Sequence, residues 1–81
     1  MQKYILIDLD FVEDTPMGQV PKILAICDTK EELFVELIET LIAFGYEEDR
    51  ELMSCNSYDE LVPIVESDDD LRLKVWKWES N

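Results

Sequence analysis

Residues 28–45, DTKEELFVELIETLIAFG, decide the fold of this chain. Apolar residues recur in this stretch with the three-to-four-residue period of an α-helix. Thr29 and Glu32 have the spacing of a capping box, in which each side chain accepts a hydrogen bond from the other residue's backbone N–H. Gly45 suits the position just after the last turn. The stretch therefore predicts a helix over 30–44.

The apolar side of this helix is wide. Its apolar side chains cover an arc of about 200°, whereas a helix lying on a sheet needs little more than 100°. They are Leu33, Phe34, Val35, Leu37, Ile38, Leu41, Ile42 and Phe44. Two interpretations stay open: a later segment covers the extra flank, or the flank binds a partner or a second copy. The candidates for a covering segment are Leu61, Val62, Ile64 and Val65.

Three strands are predicted around the helix from alternating or continuous apolar runs. They span 4–12, 20–27 and 71–78, and residues 13–19 form the loop of the first hairpin. The wholly apolar face of the first strand is expected to meet the helix. The predicted core comprises Ile5, Ile7, Leu9, Ile23, Ala25, Leu33, Leu37, Leu41, Leu73 and Val75, with Leu24 and Ile26 as the alternative on the second strand.

The opposite face of the first strand turns acidic at Asp8 and Asp10. Arg72 and Lys74 of the last strand are expected across from these acids on the solvent side. Cross-strand charge pairs of this kind contribute a few tenths to about 1 kcal/mol each.

The segment between the helix and the last strand has weaker signals. Ser57 and Glu60 repeat the capping-box spacing, and Pro63 at the sixth position predicts a helix that is broken or kinked there. Residues 52–55 are a candidate short strand, and 67–70 form a turn. We therefore predict one α+β domain over residues 1–81, with an antiparallel sheet of three or four strands, one main helix, and the order β-β-α-(short α)-β.

Composition excludes several classes of active site. The chain has no His and two Gly, so catalytic triads that use His, His-ligated metals and glycine-rich phosphate loops are excluded. The carboxylates lie in runs typical of solvated segments, and Asp68, Asp69 and Asp70 lack the spacing of a calcium loop. We expect a non-catalytic protein with no cofactor and no metal.

Cysteines and hydropathy indicate the compartment. Two cysteines, Cys27 and Cys55, are fewer than a small secreted scaffold usually carries. The first residues do not resemble a secretory signal, and no apolar run is long enough for a membrane span. We expect a cytoplasmic protein with free thiols, while a Cys27–Cys55 disulfide stays an alternative.

Negative charge is concentrated in one part of the chain. Seven bases and twenty acids give a net charge of −13. Residues 28–70 hold fifteen acids and two bases, whereas the remainder holds five of each, so the predicted helical layer carries the entire net charge. This balance argues against direct binding to nucleic acid or to an anionic membrane.

The concentrated charge predicts binding to a basic protein. Glu32, Glu36 and Glu39 form a ridge with axial spacings of about 6 and 4.5 Å, of the order of the 3.4 Å phosphate spacing of a DNA strand. The predicted partner-binding residues are Glu32, Glu36, Glu39, Glu47, Glu48, Asp49, Glu51, Asp59, Glu60, Asp68, Asp69 and Asp70. By analogy of size and charge with small acidic proteins of phages and mobile elements, we expect a nucleic-acid mimic that inhibits a restriction, CRISPR or repair protein.

The alternative prediction is a structural or regulatory interaction module. It would bind through the apolar flank of the helix or through Trp76 and Trp78, which lie two residues apart on one strand face. A homodimer is the commonest concrete form of such an interface.

Overall fold

The computed structural model describes residues 2–79, and its α+β architecture confirms the predicted fold and element order. The elements are β1 (Gln2–Thr15), β2 (Gly18–Cys27), α1 (Lys30–Ala43), α2 (Arg50–Met53), α3 (Tyr58–Ser67) and β3 (Leu73–Glu79). The strands form one antiparallel sheet in the order β2-β1-β3. The remaining residues of the predicted domain, Met1, Ser80 and Asn81, lie outside the described residues.

The β1–β2 hairpin is longer, and its loop shorter, than predicted. The strands continue to Thr15 and Gly18, which pair with each other across a two-residue turn. Gly18 has φ 115°, a conformation that favours glycine, and the Thr15 hydroxyl accepts a hydrogen bond from Met17 N–H at 3.2 Å. Of the seven residues predicted as the loop, Pro16 and Met17 form the turn and the other five pair along the ladder.

The far half of this hairpin projects from the body of the protein. The ladder is irregular between Asp8 and Val12, and beyond it residues 12–21, here called the arm, are mostly exposed on both faces. A 14-residue strand spans roughly 46 Å when fully extended. The arm accordingly contributes to a molecule that measures 41 × 29 × 19 Å.

The face of β1 that meets the helices is the opposite of the predicted one. Leu6 is fully buried in the main core and lies opposite Ala25 and Val75. Its neighbour Ile7 points to the other side, where it lies opposite the exposed residues Ile23 and Lys74. The prediction that Ile5, Ile7, Leu9 and Ile23 belong to the helix-facing core is therefore wrong, although Ile7 is itself fully buried.

The reversal has a simple physical cause. Both faces of β1 are apolar near its start, and a shift of one residue moves every side chain to the other face. Tyr4 and Leu6 pack against the helices, and this choice also buries the Asp8 side chain, which is 2 % exposed and accepts a hydrogen bond from Asp10 N–H at 2.9 Å.

The other residues of the predicted core do pack between the sheet and the helices. Leu33, Leu37, Leu41 and Leu73 are buried, and Ala25 and Val75 are half-buried against the same cluster. Of the predicted charge pairs, Arg72 bonds Asp10 at 3.1 Å. Lys74 lies opposite Ile7 instead of an acid, and Leu73 lies opposite Asp8.

Helix α1 begins with the predicted cap residue but ends one residue early, at Ala43. The Thr29 hydroxyl accepts a hydrogen bond from Glu32 N–H at 3.1 Å. The reciprocal bond differs from a capping box, because the Glu32 carboxylate accepts from Asp28 N–H, at 3.3 Å. Leu33, Leu37 and Leu41 form the buried stripe against the sheet.

Helix α3 covers part of the wide apolar flank of α1, as one of the two interpretations predicted. Leu61, Val62 and Val65 are buried in the shared core. Of the two predicted effects of Pro63, the break is wrong, because α3 continues to Ser67, whereas the kink stays a prediction. Proline at the sixth position removes the hydrogen bond to the carbonyl of Asp59, an exposed residue where solvent can replace it, and buried residues anchor the helix on both sides.

The segment between α1 and α3 contains no strand. Residues 50–53 form α2, which Asp49 caps by accepting a hydrogen bond from Leu52 N–H at 3.1 Å. The candidate strand over 52–55 is therefore wrong. Leu52 and Cys55 are buried with the spacing of a helical turn and pack against the core.

Candidate protein-binding surfaces

Helices α1 and α3 pack on the sheet and α2 packs against α3, so the acids of residues 28–70 share one layer of the molecule. We call the twelve predicted partner-binding carboxylates the acidic layer. Ten of them are exposed, and Asp49 and Asp68 are half-buried. Because 30–43 is helical, Glu32, Glu36 and Glu39 keep the axial spacing expected of a ridge.

Some members of the acidic layer also stabilise local structure. Asp49 caps α2, and Asp68 accepts a hydrogen bond from Asp70 N–H at 2.9 Å. Asp59 forms an ion pair with Lys30 at 3.3 Å. Carboxylates with such local partners are less free to bind another protein than the carboxylates that have none.

Most of the negative charge in the helical layer has no basic neighbour. Among residues 2–79, the ion pairs made by acids of 28–70 are Lys3–Asp28 and Lys30–Asp59. Thirteen of the fifteen acids in this segment therefore have no lysine or arginine within ion-pair distance in the described part of the chain. These carboxylates repel one another, and their electric field extends into solvent.

The second surface is the side of the sheet that faces away from the helices. We call it the outer sheet face; its apolar members are Ile5, Ile7, Leu9, Ile23, Ile26, Trp76 and Trp78. Ile23 and Ile26 are 52 % and 60 % exposed, and Trp76 and Trp78 are 45 % and 55 % exposed. Lys3 and Lys74 lie on the same face, near its perimeter.

The register explains why these side chains form one patch. Ile5 of the central strand lies opposite Ile26 on one side and Trp76 on the other. Directly opposed residues of an antiparallel pair have Cβ atoms about 4.5–5.5 Å apart on the same face. Three strands therefore contribute to a continuous apolar surface that none of the helices in residues 2–79 covers.

The flank of α1 keeps a smaller apolar area. Val35, Ile42 and Phe44 are exposed by about half, whereas Phe34 and Ile38 pack against the core. Helix α3 thus covers one part of the wide arc and leaves another in solvent.

The cysteine thiols are buried and unpaired, as expected for free thiols. Burial is the main cause that raises the pKa of Cys27, with Glu36 and Glu32 adding to it. Burial and the nearby carboxylate of Glu60 raise the pKa of Cys55. Raised pKa values favour the neutral thiol, which is a poor nucleophile.

The grooves of the molecule hold no desolvated pair of carboxyl groups in the described residues. An open groove of about 520 Å³ lies between α3 and β3, where Asp59, Glu66 and Lys77 line it and are all exposed. No cluster of three or more Cys, Asp or Glu side chains among residues 2–79 is placed to hold a metal ion.

Sequence reasoning does not find the outer sheet face as a continuous surface, because it assigns the face of the first strand that carries Ile5, Ile7 and Leu9 to the core beneath the helix. The signal that could have located it is the first strand itself, where Tyr4, Leu6 and Ile5, Ile7 make both faces apolar. A strand that is apolar on both faces predicts a sheet that is covered on both sides.

No helix in the described part of the chain combines the length and the apolar character needed to cross a membrane. Comparison with protein-family models, with curated proteins and with solved structures found no match, so the fold and its surfaces stand as the basis for inferring function.

Proposed function

We infer that this is a non-catalytic binding protein whose acidic layer occupies the basic groove of a nucleic-acid-handling protein. The observation that carries this proposal is the uncompensated charge of the helical layer, in which thirteen of fifteen acids lack a basic partner among the described residues. A soluble small domain needs a net charge of only about 2–8. An excess of this size on one side lowers stability, so we attribute it to recognition.

The charge is arranged in a way that suits a groove built for a phosphate backbone. Glu36 and Glu39 project from one rigid helix, and Glu47, Glu48 and Glu51 extend the negative surface around the end of that helix. Opposite charges of this density accelerate encounter with a basic protein and confer strong dependence on salt.

The class of target follows from the nucleic acid that such a groove holds. Basic grooves that hold nucleic acid occur in restriction, CRISPR and repair proteins, and a mimic that fills one acts as an inhibitor. An anti-defence role of this kind belongs in the cytoplasm and suits a phage or another mobile element. The absence of a desolvated acid–base pair in the described grooves supports binding instead of catalysis.

A competition assay tests the proposal. A fluorescent DNA duplex is bound to each member of a panel of purified restriction, CRISPR and repair proteins, and the chain is titrated in while anisotropy is measured. We expect release of the duplex from at least one member, with an affinity that falls steeply as salt rises.

Matched charge reversals give the control. Glu36→Lys combined with Glu39→Lys changes two exposed acids of the acidic layer, and Glu13→Lys combined with Asp14→Lys changes two exposed acids of the arm. The first pair should abolish duplex release and the second should leave it. No release by the wild-type chain, or equal loss in both variants, contradicts the proposal.

A second candidate function is an interaction module that binds another protein through the outer sheet face. The exposure of Trp76 and Trp78 on β3, across Ile5 of the central strand from Ile26, favours it, since large aromatic anchors dominate many interfaces. Partner binding of this kind would be abolished by Trp76→Ala and would depend little on salt. The same competition assay and its salt series separate the two candidates.

A further inference from the structure

The outer sheet face is a contiguous apolar surface whose large side chains are about half exposed. Ile5 and Ile7 of the central strand lie at its centre. The exposed residues Ile26 and Trp76 flank Ile5, and the exposed residues Ile23 and Lys74 flank Ile7, which is fully buried. Contiguous exposed apolar patches beyond a few hundred Å² mark interaction sites. We propose that this face is a homodimer interface, in which the outer sheet faces of two copies pack against each other.

Charge favours a second copy at this face. Each copy carries −13, nearly all of it on the opposite side of the sheet, so approach through the helices would bring two acidic layers together. Within residues 3–9, 23–26 and 74–78 of the strands, the outer sheet face contains the bases Lys74 and Lys3, the latter paired with Asp28, and no acid. Two copies therefore meet with least repulsion when their sheets face each other.

The area is that of a weak dimer. Three strands about 4.8 Å apart and seven residues rising about 3.3 Å each make a face of roughly 14 by 23 Å, or about 320 Å² in projection. Two copies would bury at least about 640 Å² through it, which is in the range of weak interfaces, below about 1,200 Å². We expect a dissociation constant in the micromolar range.

The distribution of residues on the face is that of an interface. Ile5 and Ile7 lie on the central strand, whereas Lys74 lies on the edge strand and Lys3 near the end of β1. An apolar centre with a charged perimeter is the usual arrangement at a two-fold interface. Sheets packed in this way lie about 10 Å apart, with their strand directions within about 30°.

The dimer places the two acidic layers on opposite outer sides, so each remains free to bind. The assembly would have four layers, with helices outside and two sheets inside. This inference does not depend on the identity of the basic partner, and its test uses the chain alone.

Sedimentation velocity over a concentration series tests the dimer. We expect the mass to rise from 9.5 kDa toward twice that value as the concentration reaches about 500 µM. Both tryptophans of the chain lie on the interface, so their fluorescence should shift to shorter wavelength over the same range. Added salt should strengthen the dimer because it screens repulsion between the copies.

Matched lysine substitutions locate the interface. Ile26→Lys, at a position 60 % exposed, should weaken dimerisation by about ten-fold or more, whereas Val35→Lys, at a position 52 % exposed on α1, should not weaken it. Ile23→Lys serves as a second interface variant if Ile26→Lys fails to fold by circular dichroism. A monomer throughout the concentration series, or equal behaviour of the interface and control variants, overturns the proposal, as does a monomer that binds only a different protein through this face.

Discussion

The carboxylate of Glu66 on α3 accepts a hydrogen bond from the backbone N–H of Val75 on β3, at 3.2 Å. β3 is an edge strand, and Val75 N–H is one of the backbone groups that points away from its neighbour β1. A helix side chain thus satisfies a donor that would otherwise be open to another strand. Exposed edges of this kind are sites of unwanted pairing, and a charged cover opposes it.

Removing the Glu66 carboxylate should lower the free energy of unfolding. Glu66→Ala is expected to lower the free energy of unfolding by about 0.5–1 kcal/mol, because Val75 N–H loses its acceptor. Glu66→Gln retains a side-chain oxygen and should lose less. Urea unfolding followed by circular dichroism measures both, and equal values for the two variants would show that the hydrogen bond contributes nothing.

Salt should stabilise the folded chain. Repulsion within the helical layer is strongest at low ionic strength, where the screening length is about 30 Å at 0.01 M, against about 8 Å at 0.15 M. We expect the thermal midpoint to rise by roughly 4–8 °C between these conditions, equivalent to about 1 kcal/mol for a domain of this size.

Charge removal gives the control for the salt effect. Glu47→Gln combined with Glu48→Gln should raise the midpoint at low salt and reduce the response to salt, because both acids lie in the acidic layer. Differential scanning calorimetry provides the measurement. If the thermal midpoint of the wild-type chain did not depend on salt, repulsion among the acids of the helical layer would be ruled out as a source of instability.

Alkaline pH should destabilise the fold. Burial raises the pKa of Cys27, Cys55 and Tyr58 in the folded chain, and nearby groups, including Glu36 for Cys27, Glu60 for Cys55 and Tyr4 for Tyr58, add to the effect. A pKa that is higher in the folded state than in the unfolded state means that the folded state favours the protonated form. The resulting stability is fully present below the unfolded pKa and is lost as pH rises through the folded value.

The free energy of unfolding should therefore begin to fall near pH 9, because the ordinary pKa of a thiol is 9.0. Urea unfolding at a series of pH values measures it. Cys27→Ala combined with Cys55→Ala should make the decline shallower over the first part of this range, and an unchanged slope would assign the effect to other groups.

The turn of the arm should tolerate changes unequally. Gly18 has φ 115°, which side-chain-bearing residues rarely adopt, so Gly18→Ala should strain the turn. Met17 is 96 % exposed and Met17→Ala should change little. Since a two-stranded ribbon is marginal by itself, we expect Gly18→Ala to speed hydrogen exchange in residues 12–21 while global unfolding changes less. Equal exchange in both variants would contradict this account.

The sequence by itself determined the main helix of this protein and the location of its charge. The apolar period and Thr29 predict α1 closely, and the composition of residues 28–70 places the net charge in the helical layer. These features depend on neighbours within a few residues along the chain, where spacing and side-chain type are sufficient evidence.

Tertiary structure alone decided which face of β1 meets the helices. Tyr4 and Leu6 compete with Ile5 and Ile7 for the core, and both pairs are apolar, so alternation cannot choose between them. The choice depends on how the β2 and β3 side chains, with α1 and α3, fill the space beneath the sheet. Packing across the fold therefore turned Ile23 and Trp76 outward and created the outer sheet face.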